Sequence, residues 1–201
     1  MSITNEYKNN TKKWKILLTH MEIYGNIFLD KVEGGKRMHK IIKACNFYVS
    51  EWHLFAALLP YIRDELKQKH KIVVISQDRL ENGMKTLVKK LNIRFENENG
   101  INEITWLNEA LVMDIREECV PVTIIVQGTM EFISEVNNYL TQRLEPLYAE
   151  LRIINCYEVY NTNTMLYNIL DEHDFVFNTA GMNKKTDIFP GYVEPAKLLK
   201  S

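Results

Sequence analysis

No strand-like apolar run in this 201-residue chain is followed by a glycine-rich turn. Neither GxGxxG nor GxxxxGK[ST] occurs, and with them goes the close backbone approach that a bound phosphate needs. The one Gly-Gly-Lys, Gly34–Lys36, follows a helical pattern instead of a strand, so a conventional phosphate loop is not expected. Cysteine is equally scarce. Cys45, Cys119 and Cys156 form no CxxC pair, and each sits in or beside an apolar run, where a free thiol packs as a small hydrophobe. That usage points to the reducing cytoplasm. The five histidines, His20, His39, His53, His70 and His173, show no HxxxH or HxH spacing, so no metal site is expected. GxSxG is missing too. Gly128-Thr129-Met130 stands where a nucleophile elbow would be, but a threonine without an activating base is a poor nucleophile, and Thr129 reads as a helix N-cap.

Charge of one sign is also missing. With 25 lysines and arginines against 26 acids, the net charge is −1 and the signs are interspersed, which argues against a nucleic-acid or anionic-membrane footprint. Lys67, Lys69, Lys71, Lys85, Lys89 and Lys90 form a local basic stretch that reads as a solvated helix face. The amino-terminal MSITNEYKNNTKKWK is polar without a secretory core, and no apolar run reaches membrane-spanning length. What remains is a composition of 46% hydrophobic and 25% charged residues, suited to one well-buried globular domain.

The patterning divides the chain into three parts. Residues 1–37 carry an amphipathic helix from Lys13 to Val32, with Trp14, Leu17, Leu18, Met21, Tyr24, Ile27 and Phe28 on one stripe, closed by a Gly34-Gly35 hinge. Residues 38–180 alternate strand and helix. Ile41–Val49 reads as a strand, and Ser50 caps a helix to about Lys69 that turns Trp52, Phe55, Leu59, Ile62 and Leu66 inward and kinks at Pro60. Lys71–Ser76 is a buried strand, and Asp78 caps a helix with the stripe Leu80, Met84, Leu87, Val88 and Leu91. Ile93–Phe95 and Ile101–Leu107 are weaker strands, and Glu109–Glu117 is a short helix. Val120–Val126, Met130–Leu147, Arg152–Tyr160, Thr162–Glu172 and Phe175–Asn178 continue the alternation, and residues 181–201 read as an extended tail.

Near-continuous apolar strands between amphipathic helices predict an α/β fold, a three-layer sandwich with a mostly parallel central sheet of RecA or Rossmann-like kind, plus the N-terminal helix. Ligands of such sheets sit beyond the carboxyl ends of the strands. The residues there that could line a ligand pocket are Tyr48, Glu51, Gln127, Thr129, Tyr157 and His173. Tyr48 and Tyr157 offer apolar bodies with polar tips. Glu51 and Glu131 each suit the first turn of a helix in any case. His173, in Asp171-Glu172-His173-Asp174 at a helix end, is expected to cap that end with a raised pKa, favoured by the helix dipole and adjacent carboxylates.

Three blocks resemble the MEDS-type (methanogen/methylotroph DcmR) sensory domain. They are Asn46-Phe47-Tyr48 leading to Glu51 and LLPYIRDEL, Val126-Gln127-Gly128-Thr129-Met130, and the stretch from CYEVY to His173. The similarity spans roughly residues 38–180. It departs from the family at Lys43 and Asn46, where histidine is usual near the Phe-Tyr pair, and at Thr129, where the family has an acid. The resemblance implies a RecA- or KaiC-like core without phosphate-binding residues that acts as a sensor in signal transduction. No catalytic residue and no cofactor is then expected. The partners would be a small molecule and a separate signalling protein, a kinase or transcription regulator, with a homodimer through the N-terminal helix as a further option. The competing reading is a divergent nucleotide- or cofactor-binding enzyme, transferase or ATPase-like, using Glu51, Glu131 or His173.

Overall fold

The structure, a computed structural model, describes residues 40–95, 100–108, 121–144, 150–161 and 165–194. The N-terminal helix expected over residues 13–32 and the short helix expected over 109–117 lie outside these.

Among the described residues the fold is α/β, with one seven-stranded sheet in the order β3-β2-β4-β5-β1-β6-β7. The strands are β1 (Lys40–Tyr48), β2 (Lys71–Ser76), β3 (Thr105–Asn108), β4 (Val122–Gln127), β5 (Glu150–Glu158), β6 (Phe175–Asn178) and β7 (Gly181–Lys184). All pairings are parallel except β6 with β7. The helices are α1 (Glu51–Lys67), α2 (Leu80–Lys90), α3 (Met130–Leu144), α4 (Leu166–Asp171) and α5 (Lys185–Ile188).

Alternation along the buried strands splits the core in two. On one face Ala44, Ile72, Val74, Ile125, Ile154 and Phe177 meet Leu54, Phe55, Leu58, Ile62 and Leu66 of α1 and Leu80 and Met84 of α2. On the other, Val73, Ile75, Ile124, Val126, Ile153 and Val176 meet Ile133, Val136 and Leu140 of α3 and Ile169 and Leu170 of α4. The three-layer sandwich expected from the sequence is therefore present. Gly83 lets α1 and α2 close up, because a Cβ there would lie 2.9 Å from the Phe55 ring.

Local expectations fared unevenly. Ser50 caps α1, accepting from the His53 amide, and the helix is assigned without a break through Pro60. Trp52 is not inward. It lies in the first turn of α1 and stands 54% exposed, its ring meeting that of Phe55 edge-on. Leu91 likewise falls beyond the end of α2 and is exposed. Ile93–Phe95 forms no strand, and Ile101–Leu107 divides into a 3-10 turn over Gly100–Glu103 and the short β3. The segment from Gly181 does not extend away. It turns back as β7 against β6, then α5, and buries Tyr192 in the α3/α4 face of the core.

Candidate functional site

The helices leave the sheet in opposite directions at two places. β2 leads to α2 on one face while its neighbour β4 leads to α3 on the other, and β1 leads to α1 while its neighbour β5 leads to α4. Divergent connections of this kind open a crevice at the carboxyl ends, which is where open α/β sheets bind their ligands.

At the β2/β4 crevice the chain fills the space with its own amides. Gln127, at the last position of β4, donates from Nε2 to Tyr48 Oη at 2.8 Å and to the Asp78 carboxylate at 2.7 Å. Asp78 was expected to cap α2. Its carboxylate is drawn to Gln127 instead, and α2 starts from Arg79 without a side-chain cap. Gln77 reaches across to accept the Thr129 amide at 2.6 Å, and Thr129 Oγ1 in turn accepts from the Phe132 amide, the N-cap expected for α3. Gly128 is required here, since a Cβ would run into the Phe132 ring and lie 2.5 Å from Gln77 Oε1. Burial pushes the Tyr48 phenol up to about 12, with Glu158 and Asp78 adding to the effect, so the hydroxyl keeps its proton. Glu51 sits exposed on the first turn of α1.

Tyr157 and His173 lie on the other face. The Tyr157 ring stacks on Phe47 and meets His173 edge-on. His173 is 3% exposed. Its Nδ1–H donates to the Ile169 carbonyl at 2.5 Å, and its Nε2 accepts from Asn155 Nδ2 at 2.9 Å, which fixes a neutral tautomer. It does bind the end of α4 as expected, but the expected rise in pKa is overturned. Burial lowers it to about 4, and Lys43 and Lys185 push the same way, against the Ile169 carbonyl and Asp174. Asp171 and Asp174 accept from the Tyr192 hydroxyl and the Lys43 amide, and Glu172 is exposed, so the pull of the neighbouring carboxylates does not offset the burial of the ring.

The six candidate residues thus form two pairs, Tyr48 with Gln127 and Tyr157 with His173, separated by the sheet, with Thr129 joined to Gln77 and Glu51 at the rim. Cys45, Asn155 and His173 fall close together through the register of β1 with β5 and β6. They do not make a cysteine nucleophile. Both imidazole nitrogens are engaged, Cys45 Sγ donates to the Phe175 carbonyl, and burial pushes the thiol up to about 12. Among the described residues no group of three histidine, cysteine, aspartate or glutamate side chains is placed to hold a metal ion, and no helix is long and apolar enough to cross a membrane.

Sequence reasoning missed Asp78 as a Gln127 partner, Gln77, and Asn155, a polar residue inside the apolar run RIINCYE. It also missed a buried cluster at the opposite, amino-terminal end of the sheet. There Glu65 accepts from Arg152 at 2.8 Å and Thr123 at 2.9 Å and pairs with His70 at 3.1 Å. Burial works against the Arg152 cation, but Tyr61, Glu150 and Glu65 outweigh it and the net shift is upward. Isolated polar residues inside an apolar pattern were the available signal.

Of the eight large apolar side chains exposed among the described residues, three follow the carboxyl ends of β1 and β5. Val49 and Trp52, at the end of β1, and Tyr160, in the turn after β5, stand 50%, 54% and 77% exposed at the carboxyl end of two neighbouring strands. Comparison with protein-family models, with curated proteins and with solved structures finds no match for this chain.

Proposed function

We propose that this chain is a cytoplasmic sensory or regulatory domain of signal transduction, of the MEDS type, that binds a small ligand or a partner protein at the carboxyl end of its sheet without transforming it. The observation that carries the reading is the pairing, at that end, of exposed apolar groups with a fixed polar floor. Val49, Trp52 and Tyr160 offer aromatic and aliphatic surface, and Tyr48, held by Gln127, keeps a hydroxyl proton that Gln127 does not use. Binding without catalysis is supported by the commitment of the reactive groups to the protein itself. His173 spends both nitrogens, Cys45 stays a thiol, and the amide of Thr129 at the start of α3 is already taken by Gln77. The partner in signalling would be a kinase or a transcription regulator, or a second copy joined through residues 13–32, which lie outside the described residues.

A thermal-shift screen of the full chain against a metabolite library, run beside pull-downs, tests this. The expected result is a stabilising ligand or a captured signalling protein whose binding is lost in Trp52→Ala or Tyr160→Ala, both exposed positions that the fold tolerates. Calorimetric binding of ATP or S-adenosylmethionine followed by its consumption would replace the sensor with the enzyme.

A further inference from the structure

Residues 173 and 174 join the last part of the chain to the middle of the sheet. His173 ties α4 to β5 through Ile169 and Asn155. Asp174 ties the same point to β1, its carboxylate accepting from the Lys43 amide at 3.0 Å and its own amide donating to the Lys43 carbonyl at 2.8 Å. Little else in the backbone ladder holds this unit. β6 pairs with β1 only at Ala44↔Phe175 and Cys45↔Val176, whereas β1 pairs with β5 along all nine of its residues. Side chains supplement this short ladder, Asn46 Nδ2 donating to the Phe177 carbonyl at 2.9 Å and Cys45 Sγ to the Phe175 carbonyl.

With Asn155 Nδ2 facing its Nε2, the His173 ring is held neutral. A proton on Nε2 would face the Asn155 Nδ2 donor, setting two donors against each other. Asn155 Oδ1 is buried without a partner, so turning the amide would supply an acceptor but leave Nδ2 stranded in its place. Among the charged groups around the ring Asp174 favours the cation, and Lys43 and Lys185 oppose it. Lys43 on β1 and Lys185 on α5 are cationic, Lys185 being buried with its Nζ on the Leu170 carbonyl. Asp171 takes the Tyr192 hydroxyl, Asp174 is engaged by the Lys43 amide, and Glu172 is exposed. Cys45 and Tyr157 stay neutral.

We propose that His173 is an acid-released pin, whose protonation detaches α4, β6 and β7 from β1 and β5 while the rest of the sheet stays closed. The proton that enters goes to Nε2, the Asn155 contact breaks, and the charged ring moves to water.

Hydrogen exchange of the full chain at pH 7 and pH 5, corrected for the intrinsic pH dependence of exchange, tests the proposal. With a pKa of about 4 in the closed unit and 6.5 once released, opening of residues 166–184 should rise roughly 20-fold from pH 7 to pH 5, while β2 and β4 change little. Thiol labelling with 4,4′-dithiodipyridine gives a second readout. Cys45, under β6, should become reactive at pH 5, while Cys156, on the opposite face, should not. Asn155→Asp places an acceptor opposite Nε2 and should hold the unit closed at pH 5. His173→Gln, which cannot be charged, should make exchange of 166–184 independent of pH, even if the segment is looser throughout. Equal opening of 166–184 at the two pH values, a rise shared by all strands together, or an Asn155→Asp chain that opens like the parent would each overturn the pin.

Discussion

Gln127 Nε2 lies 2.8 Å from Tyr48 Oη, so the tyrosine accepts and the glutamine amide joins β1 to the loop after β2 through Asp78. Gln127→Leu would strand the Tyr48 hydroxyl in a site where the residue is 5% exposed. The expected loss is about 2 kcal/mol in urea denaturation, with Tyr48→Phe costing about half as much because it removes the hydroxyl and leaves the glutamine its aspartate. Equal stability of Gln127→Leu and the parent would show that the bridge contributes nothing.

Gly128→Ala tests the tight turn into α3. The added methyl meets Phe132 and Gln77, and overpacking of this kind costs about 1–3 kcal/mol. Thermal denaturation should show the loss, and adding Phe132→Leu should recover part of it. A Gly128→Ala chain as stable as the parent would mean that the turn is looser than drawn.

At the opposite end of the sheet, Glu65→Ala would take from Arg152 the more buried of its two carboxylate partners, leaving Glu150. Removing one member of a buried pair typically costs about 3–5 kcal/mol, since the other charge remains. Glu65→Gln should cost less, keeping acceptance from Thr123 and Arg152. Chemical denaturation of the two variants orders them, and the reverse order would refute this account.

His173 also sets a slope in overall stability. Its folded pKa of about 4 is below its unfolded value of 6.5, so the unfolded chain takes up the proton first. The contribution is fully present above pH 6.5, falls as pH drops through the window, and is gone below about pH 4. Over that span the loss approaches about 3 kcal/mol. Urea titrations from pH 7.5 to 4 should show the slope in the parent and a shallower one in His173→Gln.

The sequence carried the alternation of strands and helices because the buried strands KIVVIS and VTIIVQ have no polar face to confuse the period. It carried Ser50 and Thr129 as caps because that chemistry is local. Trp52 and His173 were misread for different reasons. A helical stripe says which way a side chain points from its helix, but not whether the sheet extends far enough to cover it. For His173 the three neighbouring carboxylates suggested a charged ring, and only the tertiary fold shows the ring buried, with Asp171 and Asp174 bound to Tyr192 and Lys43. The Gln127–Asp78 and Glu65–Arg152 contacts join residues 49 and 87 apart, and no local pattern encodes such pairs.

β1 lies inside the sheet, between β5 and β6, yet it pairs with no strand made soon after it. Its first partner residue is Glu150, opposite Lys40, and its second neighbour is β6. During synthesis at about 5–20 residues per second, roughly 5–20 seconds separate the emergence of β1 from that of β5. Throughout that interval an apolar strand has no edge to join, and a nascent chain ending before β5 cannot close its sheet around it. The strand order therefore makes completion of the fold a late event in the chain's own manufacture, with an interval in which β1 has α1 against it but neither of its strand neighbours.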